Sequence, residues 1–261
     1  MKYLISLLIP LILATTATAQ TPFRFAFEAQ ELFPYYMGET IVKKTNPGAT
    51  IELMKQLENY VDVEVSFSRL SWKRAFFALK SGRVDGIVAS YKPERTTYGE
   101  FPVKNGTTDQ EKRLDQASYF LYVMKNSGVS WDPGAIKFKG VNKGIGTPVG
   151  YSIVGLLEKA GVRVDEYGNS RENLVKLAAG RLDGVALIEF DADHILMHEK
   201  IIFPGVEKLF PALSSKPYYL MLSSQFVKSH PALSKKIWDA CEKLRKNHRQ
   251  KILQKYLRMK R

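Results

Sequence analysis

The 261-residue chain is 45% hydrophobic, holds one cysteine (Cys241) and carries a formal net charge of +13. That apolar content supports one large domain or two small ones, and a lone cysteine excludes an intramolecular disulfide. Much of the positive excess is terminal: from Lys235 to Arg261 eleven Lys/Arg face only Asp239 and Glu242, a net +9.

At the N-terminus, Lys2 precedes an almost wholly apolar run over 3–14, and Ala17-Thr18-Ala19 follows as a small-residue cleavage site. This is the pattern of a signal peptide over residues 1–19, with Gln20 beginning an exported, periplasmic mature chain. No later apolar run reaches spanning length.

Residues 23–27 (FRFAF) read as a first strand, and 50–60 as a helix with Ile51, Met54 and Leu57 on one face. VDVEVS at 62–67 alternates as a second strand. Residues 72–80 form a helix ended by Gly82, and 84–89 a third strand. This β-α-β-α-β order is half of a doubly wound sheet. Residues 117–125 (ASYFLYVMK) read as a long strand crossing to a second unit, where the order repeats. There, GIGTP at 144–148 is a strand, 152–160 a helix ended by Gly161, 162–167 a strand and 182–188 the third strand. Asn169 with Glu172 is a capping box opening the intervening helix. GRLDGVA at 180–186 repeats GRVDGIV at 82–88, each after an Ala/Leu/Lys-rich helical stretch. KPYYLML at 216–222 reads as the return crossing, and the remaining helices pack on the first unit. The expected fold class is α/β: two lobes, each a doubly wound sheet with helices on both faces. Lobe one comprises 22–117 and 223–261, and lobe two comprises 118–222 with the hinge crossings. A cleft between lobes is where a ligand binds.

The run PGATIELMKQL at 47–57, WKRAFFALKSGRVDGIVAS at 72–90, PERTTYGEFP at 93–102, GIGTPVGYS at 144–152, AAGRLDGVALIE at 178–189 and KILQKYL at 251–257 together resemble the family 3 periplasmic solute-binding proteins of the polar-amino-acid-binding type. The resemblance implies a type II periplasmic-binding-protein-like, Venus-flytrap protein. Such a protein captures a small anionic or zwitterionic metabolite, foremost an amino acid, and feeds an ABC permease. Two alternatives remain on the same fold: a dehydratase-like exported enzyme acting on prephenate-like acids, and a sensor presenting its ligand to a membrane receptor.

Ligands of open α/β sheets bind outside the carboxyl ends of the strands. Asp85 and Asp183 begin their strands and are therefore read as turn residues. The ligand-binding candidates stand at the other ends: Tyr35 and Tyr36, Trp72, Ser90, Tyr91 and Arg95 in lobe one, and Gly150, Tyr151, Ser152 and Glu189 in lobe two. The resemblance gives Arg95, in Lys92-Pro93-Glu94-Arg95, the role of gripping a carboxylate, for which a guanidinium fork is suited. The alternative is an exposed arginine paired with Glu94 or Glu100. Gly150-Tyr151-Ser152 sits at a helix start, where free amides favour an anion and Ser152 also suits a cap. The family's ammonium-binding Asp has Ile188 in its place, with Glu189 next along. The tyrosines and Trp72 either wall the cleft or pack into the cores.

Other chemistry is thinly signalled. Asp191, Asp193, His194 and His198 suggest a zinc set but without a metal-ligand spacing pattern. No nucleophile motif, phosphate loop or dinucleotide fingerprint occurs, so no cofactor is expected. Cys241 falls on an apolar helix face as a small buried hydrophobe. The basic C-terminal stretch reads as a solvated helix face or a hold on anionic envelope surfaces. Nucleic acid is not an expected partner for an exported chain, and the protein is expected to be monomeric.

Overall fold

The computed structural model describes residues 20–39 and 41–259, so the signal-peptide expectation at 1–19 lies outside the described residues. The repeated Gly-Arg-x-Asp-Gly segments turn the same corner twice. Helix α2 (Trp72–Lys80) ends where Gly82 takes a φ of 67°, its N–H bonding the carbonyl of Leu79 while Arg83 N–H bonds that of Ala78. Helix α4 (Ser170–Ala178) ends the same way, with Gly180 at a φ of 65° and bonds from Gly180 and Arg181 back to Leu177 and Lys176. This paired closure of the last turn needs a left-handed residue, which glycine supplies without a Cβ clash. Each turn then delivers the chain into a fully buried strand, β3 (Gly86–Ser90) after α2 and β11 (Gly184–Ile188) after α4.

In lobe one, β1 (Thr21–Glu28) lies parallel between β2 (Val63–Leu70) and β3, with α1 (Ala49–Gln56) crossing from β1 to β2. The hairpin β4 (Val103–Lys104) and β5 (Thr107–Thr108) is peripheral. The chain then runs through β6 (Asp115–Met124) and a second small hairpin, β7 (Ser130–Asp132) and β8 (Lys137–Lys139). Lobe two repeats the plan: β9 (Ile145–Thr147), α3 (Val154–Lys159), β10 (Val164–Glu166), α4, β11 and α5 (Glu189–His198). Asn169 and Glu172 form the capping box expected from the sequence. Helices α6 (Ser224–Ser229), α7 (Pro231–Leu244) and α8 (Gln250–Leu257) complete the fold, with one turn of π-helix at Arg245–Arg249 before α8.

One eight-stranded sheet results, in the order β10-β9-β11-β6-β12-β3-β1-β2. Its outer thirds are parallel triplets in matching order, and its centre is the antiparallel pair β6 and β12 (Val206–Leu222). This is the two-lobed α/β fold that the element order implies. The return strand is much longer than the 216–222 read from sequence. It already pairs with β6 at Val206–Leu209, then shifts register before Ser214. Alternation fails at this irregularity, so the first half of the strand carried no period-two signal.

The C-terminal helices are tied to α1 and its surroundings. Tyr256 is fully buried, its hydroxyl donating to Glu52 and accepting from Gly48 N–H at 2.9 Å. Arg245 Nε donates to the Arg113 carbonyl at 3.0 Å, and Lys112 Nζ pairs with Asp239 and Glu242 at 2.8 Å each. Cys241 is fully buried on α7, its thiol pushed up to about 12 chiefly by burial. Among the described residues no helix is long and apolar enough to cross a membrane.

Candidate ligand-binding site

The carboxyl ends of the parallel strands of both lobes converge on the centre of β6 and β12 and enclose a cavity there. It offers about 50 Å³ to the centres of water molecules, room for a handful of atoms. Lobe one contributes Glu28 from the end of β1, Tyr35 and Tyr36 from the loop beyond it, and Trp72 and Arg95. The crossing strands add Asp115, Tyr119 and Tyr218, and lobe two closes it with Tyr151, Ser152 and Ile188. The asymmetry of backbone placement explains Tyr35: Gly48 holds a φ of 119° and a Cβ there would collide with the Tyr35 carbonyl oxygen, so the loop lies directly on the start of α1.

Arg95 is 6% exposed, in the short helical turn Pro93–Thr97 after β3. Its Nη1 donates to Ser90 O at 2.7 Å and to Ser90 Oγ at 2.9 Å, and its Nη2 reaches across the cleft to Gly150 O at 3.2 Å. Trp72 and Phe76 present ring faces to the guanidinium at 5.7 and 5.1 Å. Among the described residues no carboxylate lies within ion-pair distance, so the reading of an exposed arginine paired with Glu94 or Glu100 does not describe it. A buried cation without an anion is costly. Burial lowers its pKa, and the nearby Lys216, on β12 with Nζ on Ser152 O at 2.7 Å, is pushed down to about 8 by burial and then by the charges of Arg95 and Lys92. Burial leads both shifts, and the positive charges of Arg95 and Lys92 add only to that of Lys216.

The remaining candidates divide. Tyr35, Tyr36 and Tyr151 line the cavity and are buried, and the Tyr35 hydroxyl has no hydrogen-bond partner among the described residues. Ser90 serves the site through Arg95. Tyr91 is 42% exposed and packs edge-on against Phe101, outside the cavity, because the strand's alternation turns it to the other face from Ser90. Glu189 also misses this cavity. Ile188 ends β11 pointing in, so the next side chain points out, where Glu189 accepts from Lys208 at 3.0 Å. The Gly150 turn is not a free amide nest: Gly150 N–H already donates to Glu166 at 2.7 Å and Tyr151 N–H to Pro148 O. Helix α3 begins only at Val154, two residues later than expected, so Ser152 caps nothing. Asp85 and Asp183 are turn residues, as read: Asp85 takes Arg24, and Asp183 takes the N–H groups of Asn142, Lys143 and Gly144. Asp191 accepts from Phe33 N–H at 2.9 Å across the cleft and His194 stacks on Phe33, with centroids 3.8 Å apart. These two residues join the lobes.

Sequence reasoning missed Glu28, Asp115, Tyr119 and Tyr218. Glu28 is the last residue of β1 and satisfies the carboxyl-end rule, so its signal was present. Its carboxyl is pushed up to about 7, chiefly by burial, and accepts from Tyr151 Oη at 3.2 Å. Asp191 rises to about 7 for the same leading reason. Both carboxyls therefore hold a proton more tightly in the folded protein than at their ordinary 4.5 and 3.8. The stability this contributes is complete below the ordinary values and is lost as pH rises through about 7. The unligated protein's melting temperature should thus fall as pH rises across this window, and Glu28→Gln should flatten part of the slope. A melting temperature that rises with pH here would contradict these assignments.

A two-lobed α/β fold with a buried, cation-bearing cavity between the lobes defines a protein of the periplasmic-binding class. The chain belongs to the bacterial extracellular solute-binding proteins, family 3, whose family model matches residues 32–259. Among curated proteins none matches it by sequence. It is similar in structure to an ancestral arginine-binding protein bound to arginine (TM-score 0.67, 22% identity, covering 91% of this chain and 99% of that one). It is also similar to a histidine kinase sensor domain with similarity to periplasmic binding proteins (0.72, 16%, 92% and 97%). A third is the arginine-, lysine-, histidine-binding protein ArtJ from Geobacillus stearothermophilus (0.69, 14%, 92% and 97%). These identities carry the fold alone.

Proposed function

We propose that this is an exported, periplasmic solute receptor that closes its lobes over a small carboxylate-bearing metabolite for ABC-type import, an amino acid being the leading class. Lobe one would be residues 22–117 with 223–261, and lobe two 118–222. The observation that carries the reading is the buried guanidinium of Arg95, facing the interlobe cavity with no carboxylate of the described residues within ion-pair distance. A ligand carboxylate completes it with charge-assisted hydrogen bonds. The amino-acid form of the reading has Glu28 and the tyrosine hydroxyls to receive an ammonium group, since Ile188 offers none. Solute-binding relatives such as the substrate-binding protein of an amino acid ABC transporter support import (TM-score 0.66), and the sensor-domain likeness keeps receptor signalling as the other destination of the same binding event.

A thermal-shift screen of amino acids and plain carboxylic acids tests this. A true ligand at a hundred times its dissociation constant adds about 2.7 kcal/mol of stability, a plainly visible upward shift. No shift with any small carboxylate would reject the reading. The enzyme reading rests on one feature, the Glu28 carboxyl, pushed up to about 7 by burial, in the cavity that Arg95 lines. Release of product from a prephenate-like acid, lost in Glu28→Gln, is its distinguishing result.

A further inference from the structure

The Arg95 cavity is not closed on all sides. Tyr35, Asp115, Ala117 and Ile188 line it and also line a second, more open cavity of about 570 Å³. That groove is where the basic C-terminal stretch finds a place. Arg245, Lys246 and Arg249 line it from the π-helical turn and Arg113 from the start of the crossing strand, against only Asp115 and Glu189. The two carboxylates are already used, Asp115 by Arg249 and Glu189 by Lys208. Arg113 is the cation with the weakest ion pairing: its Nη1 donates to the Gln110 carbonyl at 2.6 Å, and Glu111, the carboxylate it faces, is 4.0 Å away and more than half exposed. At the neck stands the Tyr35 hydroxyl, 6% exposed as a residue and without a partner among the described residues. A hydroxyl in that position can donate to a polar group at the neck.

We propose that the natural ligand is an elongated dianion: one carboxylate rests on Arg95, the chain passes the Tyr35–Ile188 neck, and a second acidic group lies in the groove at Arg113. This rests on the reading of Arg95 as a carboxylate anchor and extends it. The Arg95 cavity and the groove together accommodate a chain of several carbons. The terminal charge thereby acquires a role beyond a solvated helix face.

Calorimetry with two matched series separates the two claims: the α,ω-dicarboxylates from succinate to suberate, and the monocarboxylates from butyrate to octanoate. At one chain length the diacid should bind about tenfold more tightly than its monoacid. Arg113→Gln should remove most of that advantage and leave monoacid affinity unchanged; Arg113→Lys should restore part of it. Arg249 is left intact in these variants because its loss would strand Asp115. Equal affinity for monoacid and diacid, both lost in Arg95→Ala, would overturn the two-headed ligand and keep the Arg95 anchor. A diacid advantage untouched by Arg113→Gln would also overturn it. Binding of neither series by a protein whose melting temperature an amino acid raises would overturn the dianion and keep the Arg95 anchor.

Discussion

Arg95→Ala is expected to weaken ligand binding by between about thirtyfold and a few thousandfold, the equivalent of roughly 2–5 kcal/mol for a truncated buried charge pair. The direction follows from the site's charge balance. Arg95 is the cation that lines the cavity, and Ser90 and Gly150 occupy it with neutral oxygens only. Arg95→Lys should recover less than the whole loss, because an ammonium replaces two parallel donors by a point charge. The unligated protein should respond in the opposite sense. Removing a buried cation that has no anion relieves a desolvation cost, so its melting temperature should be unchanged or raised, despite the loss of the Gly150 bond across the cleft. Calorimetry and melting of the same samples check both halves. Unchanged affinity would reject Arg95 as the anchor.

Tyr256→Ala is the substitution with the largest expected effect on stability. The ring is fully buried with Phe33, Met37 and Ala49, and aromatic-to-alanine changes in cores cost about 3–5 kcal/mol. Gly48 N–H also loses its acceptor, which costs roughly another 1–3 kcal/mol if it stays buried and unpaired. Tyr256→Phe isolates that second part. Urea unfolding should show a midpoint lowered strongly for alanine and modestly for phenylalanine. Because Gly48 supports the Tyr35 loop, the alanine variant should bind ligand less well too. A midpoint near that of the unaltered protein would mean α8 is not anchored on α1 as described.

Most of the fold was legible because its signals are local and repeated. Helix α2 begins at Trp72 and ends before Gly82 as its pattern says, and the second lobe spells the same turn again with Gly180. The long return strand was only half legible. Its register shift near Phe210 and Pro211 breaks the alternation that makes a strand visible. Of the candidates the carboxyl-end rule names, Arg95, Tyr35, Tyr36, Trp72, Tyr151 and Ser152 line the cavity, because that rule depends on strand direction alone. Tyr91 and Glu189 lie outside that cavity for one reason: where a strand gives way to a turn, one residue decides which face a side chain takes. The rule could not place Asp115, Tyr119 and Tyr218, which lie within the antiparallel crossing strands, where no strand end marks a position. The pairing of Arg249 with Asp115 joins residues 134 apart, which no single-sequence pattern reveals.

The central claim is that a small carboxylate completes the charge of Arg95 between the lobes. A crystal structure of the protein with the carboxylate that most raises its melting temperature tests this directly. The expected result is a carboxylate within hydrogen-bond distance of the Arg95 guanidinium, beside Tyr35 and Tyr151. A ligand bound elsewhere, with Arg95 still contacting only Ser90 and Gly150, would contradict it.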